Sequence, residues 1–366
     1  MIKFLDLAKQ YRGFKEEADQ ALAEVISNSA YIGGKHVDQF EKDFAAYHQA
    51  AHYVGVGNGT DALELVLEGL QLPAGSEAIV PANSFIATSE AASRSGLKVI
   101  FADCDPETYV LDLADLERRI TPRTKVILAV HLYGHPCDMD PILALADKHA
   151  LLVVEDCAQA HGSLYKGKMV GTFGVAGCFS FYPGKTLGAW GDGGAVITGD
   201  GKLAERVRML ANHGRTSKHA HAEEGRNSRL DGLQAAILGI KLKRLESWIQ
   251  RRLEVADLYG KELSGIGQVV LPKRRDHVRQ SYHLYVIRAE RRDELKAFLG
   301  EKGIQTGIHY PVALPKLEAY RHLTEDYSDL FACRADSQLL SLPLGEHLED
   351  DEVLQVARAV REFYGA

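Results

Sequence analysis

Lys185 is the first of three residues or motifs whose chemistry could serve one cofactor. It follows an apolar strand and precedes a glycine-rich tract in FSFYPGKTLGAWGDGGA. A lysine is usually solvated on the protein surface. Where its amine loses hydration, the pKa falls and the amine becomes available for imine chemistry. Lys185 is therefore a candidate nucleophile, with a solvated surface lysine as the alternative.

Asp156 is the second candidate and closes the apolar run LLVVED. In open α/β sheets, ligands bind outside the carboxyl ends of the strands. A carboxylate at that position could stabilise a protonated ring nitrogen, whereas the alternative is a helix cap or a local ion pair. Strand alternation sends the neighbouring Glu155 to the opposite side, so only one of the two carboxylates is expected to face a ligand.

The third motif is GVGNGTDAL, residues 55–63, which predicts a glycine-rich turn between a strand and a helix. Such a turn aims backbone N–H groups and a helix N-terminus at an anion, and Thr60 adds a hydroxyl. The segment has neither the Walker pattern nor the full dinucleotide spacing, so a phosphate without a nucleotide fits better. The alternative is a tight turn with a threonine cap.

Together the three motifs provide an anion cradle, an acid for a pyridinium nitrogen and an imine-forming lysine. These groups make up a pyridoxal phosphate site, in which the cofactor acts as the electron sink and the protein orients it.

Short apolar runs alternate with helical patterns through the first two thirds of the chain. This alternation predicts right-handed crossovers and a three-layer α/β domain around a mainly parallel sheet. The predicted strands are 52–56, 77–81, 97–103, 125–134, 151–157, 176–181 and 193–198. We predict one helix of more than 25 residues from Arg229 that joins two domains. The predicted domains are a large one at 1–245 and a smaller α+β one at 246–366.

Composition narrows the class of protein. Hydrophobic residues make up 46% and charged residues 25% of the 366 positions, as in a globular enzyme rather than a disordered chain or a rod. The net charge of −7 gives no basic field for nucleic acid or an anionic membrane. The five cysteines form no CxxC pair, and no long apolar run is present. We therefore expect a reduced, cytoplasmic protein without a bound metal.

Five stretches resemble one known family, and they occur in that family's order. They are GNGTDAL, PANSFIAT, EDCAQAHGSLYKGK, GCFSFYPGKTLGAWGDGGA and NSRLDGLQAAIL. The family is the DegT/DnrJ/EryC1/StrS group of pyridoxal-phosphate-dependent sugar aminotransferases. The resemblance covers nearly the whole chain and implies the fold of aspartate aminotransferase, known as fold type I.

The resemblance also implies roles for residues around the cofactor ring. Lys185 would form the imine with the cofactor and later carry protons, and Asp156 would keep the ring nitrogen protonated. Gln159 would bond the 3′-oxygen, unless it is a polar residue that faces solvent at a helix start. Phe85 would stack on the ring, unless it is simply packed in the core.

The phosphate would be held by the backbone at Gly59 and Thr60 and by the hydroxyl of Ser180. By resemblance, Asn227 of the partner subunit would also bond the phosphate, which implies a homodimer with shared active sites. The alternative for Asn227 is an ordinary surface position.

Four residues are candidates for the substrate pocket by the same resemblance. They are Tyr182, Arg229, His309 and Tyr310, each with local packing or a loop contact as its alternative. The sequence departs from many relatives in HYPVALPKLEAY, where Ala313 and Pro315 replace a proline and a histidine.

The implied reaction is transfer of an amino group from L-glutamate to a 3-keto or 4-keto deoxyhexose. The sugar would be linked to a nucleoside diphosphate, most commonly dTDP in the family, and the kinetics would be ping-pong. One alternative is a pyridoxal-phosphate-dependent sugar dehydratase, in which related proteins replace the lysine with histidine. The other is a non-catalytic regulatory protein with the same fold.

Overall fold

A seven-stranded sheet forms the centre of the computed structural model, which describes residues 1–366. The strand order is β1-β9-β8-β5-β4-β2-β3, and only β9 runs against its neighbours. The strands of this sheet are β1 His52–Val56, β2 Glu77–Pro81, β3 Lys98–Ala102, β4 Thr124–Val130, β5 Leu152–Asp156, β8 Ala176–Ser180 and β9 Gly194–Thr198. The predicted, mainly parallel α/β sheet is therefore confirmed.

Helices cover both faces of the sheet. The first nine helices are α1 Leu7–Arg12, α2 Lys15–Ser27, α3 Lys35–His48, α4 Gly59–Gly69, α5 Ile86–Arg94, α6 Leu113–Arg119, α7 Met139–His149, α8 Gly201–Leu210 and α9 Gly232–Leu242. On β2, Ala78 and Val80 belong to an apolar cluster that includes residues of α4, α5 and α8. Ile79 between them belongs to a cluster with α6 and α7. Because successive side chains alternate between faces, a strand buried on both faces is apolar throughout.

A second, three-stranded antiparallel sheet lies in the C-terminal third. It has the order β12-β14-β15, from Val269–Val270, Tyr285–Ala289 and Leu339–Leu342. The remaining helices of this part of the chain are α10 Leu245–Glu262, α11 Arg292–Glu301, α12 Phe331–Ala335 and α13 Asp350–Tyr364. Shorter paired strands are β6 Leu164–Tyr165 and β7 Lys168–Met169, β10 Arg215–Ser217 and β11 Ala220–His221, and β13 Val278–Arg279.

The prediction of one long helix from Arg229 is wrong. The chain instead forms α9 and α10, with a break at Lys243 and Arg244. The break lets α9 lie against α2 and α3 while α10 lies against α13. Because the apolar spacing continues across the break, periodicity alone could not reveal it.

The boundary between residues 245 and 246 stays a prediction, because packing does not follow it cleanly. Leu245 and Ile249 at the start of α10 belong to a cluster with strands of the large sheet. Val255 and Tyr259, further along the same helix, belong to the cluster of the small sheet. Residues between 313 and 333 also pack with the large sheet. None of the helices combines the length and the apolar character needed to cross a membrane.

Candidate active site

Three of the predicted site residues, Thr60, Asp156 and Ser180, come from the same edge of the large sheet. β5 ends at Asp156 and β8 ends at Ser180, and these parallel strands are neighbours. β1 has the direction of β8 because both run antiparallel to β9, so the turn from β1 into α4 lies at that edge as well. A parallel sheet thus brings together side chains that are distant in sequence.

The start of α4 and Ser180 form a close cradle. A Cβ atom added to Gly59 would lie 2.6 Å from the Cβ of Ser180, so only glycine allows this approach. Asn58 caps the helix by accepting the N–H of Asp61 at 2.8 Å. The N–H groups of a first turn have no acceptor inside the helix. Those of Gly59 and Thr60, with the hydroxyl of Ser180, therefore fit a phosphate at the positive end of α4.

Asp156 is buried and held by two donors. The hydroxyl of Thr88 donates to one carboxylate oxygen at 2.7 Å, and the N–H of Ala158 donates to the other at 3.1 Å. Thr88 in turn shares a 2.8 Å hydrogen bond with Ser84. These two bonds fix the orientation of the carboxylate at the end of β5, where it could pair with a protonated ring nitrogen.

Lys185 follows Ser180 in a compact turn, where its N–H donates to the carbonyl of Tyr182 at 2.8 Å. Desolvation lowers the pKa of the Lys185 amine to about 8, although the negative charge of Asp156 opposes this shift. A solvated surface lysine would keep its usual pKa near 10.5. The lowered value leaves a substantial neutral fraction near neutral pH, as a nucleophilic amine requires.

Gln159 is buried and fully oriented, which argues against the solvent-facing alternative. Its amide oxygen accepts the N–H of Tyr133 at 2.7 Å, and its amide nitrogen donates to the hydroxyl of Tyr310 at 2.9 Å. One amide N–H remains for a further acceptor such as a cofactor oxygen. Tyr310 thus lies against Gln159, and its proposed contact with substrate stays a prediction.

Phe85 is 54% exposed at the start of α5, so it is not an ordinary core residue. Its ring centre lies 5.6 Å from that of Tyr310. Phe85 precedes Thr88, which binds Asp156, by three residues, so its exposed aromatic face suits stacking on a flat cofactor ring held by Asp156.

His309 and Tyr182 border the site on the side of Lys185. Burial and the charge of Lys185 lower the pKa of His309 to about 4, so this imidazole is neutral at physiological pH. Its Nδ1 shares a 2.8 Å hydrogen bond with the hydroxyl of Ser341, and its ring stacks on Phe4. Tyr182 is 59% exposed and is available to a ligand. The substrate roles of both residues stay predictions.

Asn227 and Arg229 are exposed in a single copy of the chain. Between them lies Ser228, a buried residue that was not among the predicted site residues. Its hydroxyl accepts the N–H of Gly57 at 2.9 Å and donates to Asp61, which ties this segment to the start of α4. Arg229 reaches only the side-chain oxygen of Asn212, at 3.4 Å. No contact within one copy explains a role for Asn227 at the phosphate.

Glu155 points to the other side of β5, as strand alternation predicts. One carboxylate oxygen accepts the N–H groups of Phe173 and Gly174, both at 2.7 Å. The other accepts the N–H of Gly171 at 2.6 Å and faces Nε2 of His131 at 3.0 Å. Glu155 thereby fixes the loop that precedes β8 and leaves Asp156 as the carboxylate of the site.

His131, Glu155 and Cys157 come close enough together to form a possible metal site. However, Nδ1 of His131 already accepts the N–H of Cys137 at 2.9 Å, and its Nε2 faces Glu155. Both ring nitrogens are therefore used in protein contacts, and the cluster is explained as a hydrogen-bond network.

We expect Glu155→Gln to destabilise the fold by about 3 kcal/mol, because its new amide NH₂ must face N–H groups that now donate to a carboxylate. The urea midpoint of unfolding measures this loss. The matched variant Glu117→Gln, at an exposed surface pair with Lys148, should change the midpoint little. Equal urea midpoints for the two variants would show that the buried network around Glu155 does not contribute to the stability of the fold.

Comparison with known proteins shows which reaction uses this arrangement of Lys185, Asp156 and the cradle at Gly59. Residues 13–361 match the model of the DegT/DnrJ/EryC1/StrS aminotransferase family. The chain belongs to this family. It is accordingly a pyridoxal-phosphate-dependent aminotransferase with the α/β fold that the resemblance implied.

Two relatives and one solved structure illustrate the similarity. The dTDP-3-amino-3,4,6-trideoxy-alpha-D-glucose transaminase of Streptomyces venezuelae is 45% identical, over 99% of this chain and 96% of that protein. The dTDP-3-amino-3,6-dideoxy-alpha-D-galactopyranose transaminase of Aneurinibacillus thermoaerophilus is 43% identical, over 99% of each. The crystal structure of S. venezuelae DesV in complex with a ketimine intermediate has a TM-score of 0.97 and 44% identity. The structural match covers 100% of this chain and 99% of the DesV chain.

The residues present fit pyridoxal phosphate. The narrow space at Gly59 and the start of α4 suit its phosphate, Asp156 suits its ring nitrogen, and the amine of Lys185 can bind its aldehyde. When bound, the cofactor supplies the electron sink that makes a Cα–H bond acidic.

Proposed function

We propose that this aminotransferase moves an amino group from L-glutamate to C3 of a keto-deoxyhexose carried on dTDP. The observation that carries the proposal is the full-length similarity to a transaminase named for such a product. The lowered pKa of Lys185 and the oriented carboxylate of Asp156 support it. Both relatives described above are named for dTDP sugars aminated at C3, which favours C3 over C4.

The chain's own residues can perform the proton transfers of both half-reactions. The Lys185 amine, with its lowered pKa, can accept a proton from carbon and return it. Asp156, held by Thr88, would face the ring nitrogen, while His309 stays neutral and offers a hydrogen-bond partner without charge. Because one site serves the donor and then the acceptor, ping-pong kinetics follow.

Lys185 also separates this function from the sugar dehydratase, since that reaction is associated with a histidine at the same position. A non-catalytic regulatory protein would not need the groups that carry out the reaction. In this chain, however, Lys185, Asp156 and the narrow cradle at Gly59 are all present. The five free cysteines are compatible with the cytoplasm, where we place the reaction.

A panel of keto-sugar nucleotides tests the substrate assignment. The panel crosses 3-keto with 4-keto sugars and dTDP with UDP and GDP, with L-glutamate as donor and release of 2-oxoglutarate as the readout. We expect the highest kcat/KM for a dTDP-linked 3-keto sugar. Preference for a 4-keto sugar would overturn the C3 assignment, and no turnover with any member would overturn the sugar assignment.

We further propose a homodimer in which Asn227 serves the partner's phosphate site. Its exposure in a single copy, beside the buried Ser228 that anchors the segment to α4, supports this role. Most soluble oligomers are symmetric, so one such contact would occur twice in a dimer.

Mixed dimers provide a prediction for this shared site. Lys185→Ala and Asn227→Ala subunits, each impaired, are unfolded and refolded together in equal amounts. About half of the dimers are then mixed, and one site in each combines an intact Lys185 with an intact Asn227, so about a quarter of all sites should recover. The loss of one hydrogen bond to the phosphate weakens cofactor binding by only ~1.5–3 kcal/mol. The assay therefore uses a subsaturating cofactor concentration, at which weaker binding lowers the activity. No recovery would show that Asn227 does not act across subunits.

A further inference from the structure

Lys241 is a buried lysine that the chemistry described so far does not use. It lies near the end of α9, and only 1% of the residue is exposed. Its Nζ donates to the carbonyl of Gly188 at 2.6 Å, and it takes part in no salt bridge. Desolvation lowers the pKa of Lys241 to about 8, opposed by the charge of Glu346. Its Nζ also lies 6.0 Å from the ring centre of Phe14. Since a buried cation without a carboxylate partner is costly, its hydrogen bond to the Gly188 carbonyl needs an explanation.

The acceptor belongs to the turn that carries Lys185. That turn is closed by two backbone hydrogen bonds of 2.8 Å, from Lys185 to Tyr182 and from Ala189 to Phe181. It is also tightly packed, because a Cβ atom added to Gly188 would lie 2.3 Å from the carbonyl oxygen of Pro183. A displacement of the Gly188 carbonyl therefore cannot be absorbed locally and reaches Lys185, three residues earlier.

A second side chain of α9 holds the next part of the same segment. Gln234 accepts the N–H of Trp190 at 2.8 Å. Gln234 and Lys241 are seven residues apart, which places them on one face of the helix. One rigid helix thus binds the segment at Gly188 through a donor and at Trp190 through an acceptor.

We propose that Lys241 is a positioning residue for Lys185, which it holds in its desolvated place through the Gly188 carbonyl. A charged donor gives a hydrogen bond roughly twice as strong as a neutral one, which suits a contact that must fix a loop. Lys241 acts through the Gly188 carbonyl and does not contact the cofactor. The inference rests on the proposed role of Lys185 as the cofactor lysine.

The test follows attachment of the cofactor rather than turnover. The neutral amine of Lys185 condenses with the aldehyde of pyridoxal phosphate and releases one water, and the product has a visible absorption band. The rate of band growth in cofactor-free, full-length protein, measured against pH, therefore follows the deprotonation of Lys185. The pKa of Lys241 is also about 8, so Lys241→Arg, which stays charged over this range, shows how much of the profile comes from Lys241 itself. Charged and titratable groups that interact with Lys185 are Asp156, His161, His283 and His309. The pKa values of these three imidazoles are lowered below neutrality, so they do not titrate above pH 7.

We expect Lys241→Met to move the midpoint upward by about one pH unit and to slow attachment about tenfold at pH 7. Without the bond to Gly188 the turn loosens, water reaches Lys185, and its pKa returns toward the ordinary value. Lys241→Arg, which keeps a charged donor, should restore most of the wild-type midpoint. If Lys241→Met is insoluble, Gln234→Leu replaces it and should shift the midpoint in the same direction.

Arg292→Met is the matched control. Arg292 is also a buried cation, and it donates to the carbonyl of Leu339 at 2.8 Å, in the small sheet. It should lower the urea midpoint of unfolding without moving the pH midpoint of attachment. A wild-type pH midpoint in the tested α9 variant, or equal shifts in it and in Arg292→Met, would overturn the inference. Absence of a Lys185-dependent band in the wild-type protein would instead overturn the proposed function.

Discussion

Lys185→Ala is expected to lower turnover by ~10⁴-fold or more while the protein still binds pyridoxal phosphate. The change removes both the covalent attachment and the proton carrier, and proton transfer alone is worth about 10²–10⁴-fold. The cradle at Gly59 and Ser180 and the acid Asp156 do not depend on the lysine, so the cofactor should still bind noncovalently. Steady-state kinetics and equilibrium dialysis of the cofactor measure the two effects separately.

Lys166→Ala is a suitable control for this prediction, because Lys166 is an exposed lysine paired with Asp140 on the surface. It should retain wild-type turnover and the visible band that borohydride removes. In Lys185→Ala, added primary amines should restore a small part of the activity. Wild-type turnover without added amine would show that Lys185 is not the cofactor lysine.

Asp156→Asn should reduce kcat on the order of 10²-fold or more, the usual effect of losing one preorganised electrostatic contact in an active site. An amide cannot hold a positive charge on the ring nitrogen, so the cofactor becomes a weaker electron sink. The affinity for the cofactor should change much less. The amide oxygen can still accept the N–H of Ala158, and Thr88 can turn its hydroxyl to accept from the new NH₂ group.

Thr88→Val separates the charge of Asp156 from its orientation. This variant removes the 2.7 Å hydrogen bond to the carboxylate but keeps the charge. We expect a loss of kcat clearly smaller than that of Asp156→Asn, since one hydrogen bond to a charged group contributes ~1.5–3 kcal/mol. If Asp156→Asn stays within about twofold of wild-type kcat, Asp156 acts only as a local cap.

The sequence predicted the parts of the site that depend on residue type within a motif. The apolar run before Asp156 and the glycine-rich turn at Thr60 place these two groups at strand ends, and the context of Lys185 places it in the turn after β8. A parallel sheet then brings those ends together, and the structure has that sheet. The resemblance added Phe85 and Gln159, whose exposed ring and oriented amide now disfavour their alternatives.

Contacts between distant segments could not be predicted from a single sequence. Thr88 reaches Asp156 across 68 positions, and Lys241 reaches Gly188 across 53, in both cases through the packing of a helix on the sheet. Glu155 accepts backbone N–H groups, which every non-proline residue provides, so its partners leave no pattern of residue types. The break between α9 and α10 was not predicted, because the helical periodicity of the sequence continues through Lys243 and Arg244.

Transfer of labelled nitrogen tests the central claim most directly. The enzyme is incubated with ¹⁵N-labelled L-glutamate and freed of the donor, and a dTDP-linked 3-keto-deoxyhexose is then added. Mass spectrometry and NMR should find one ¹⁵N atom bound to C3 of the sugar nucleotide, in an amount equal to the cofactor sites. Lys185→Ala should give none. Label that stays on the protein, or an unlabelled or deoxygenated sugar as product, would contradict an aminotransferase acting through Lys185 on this substrate.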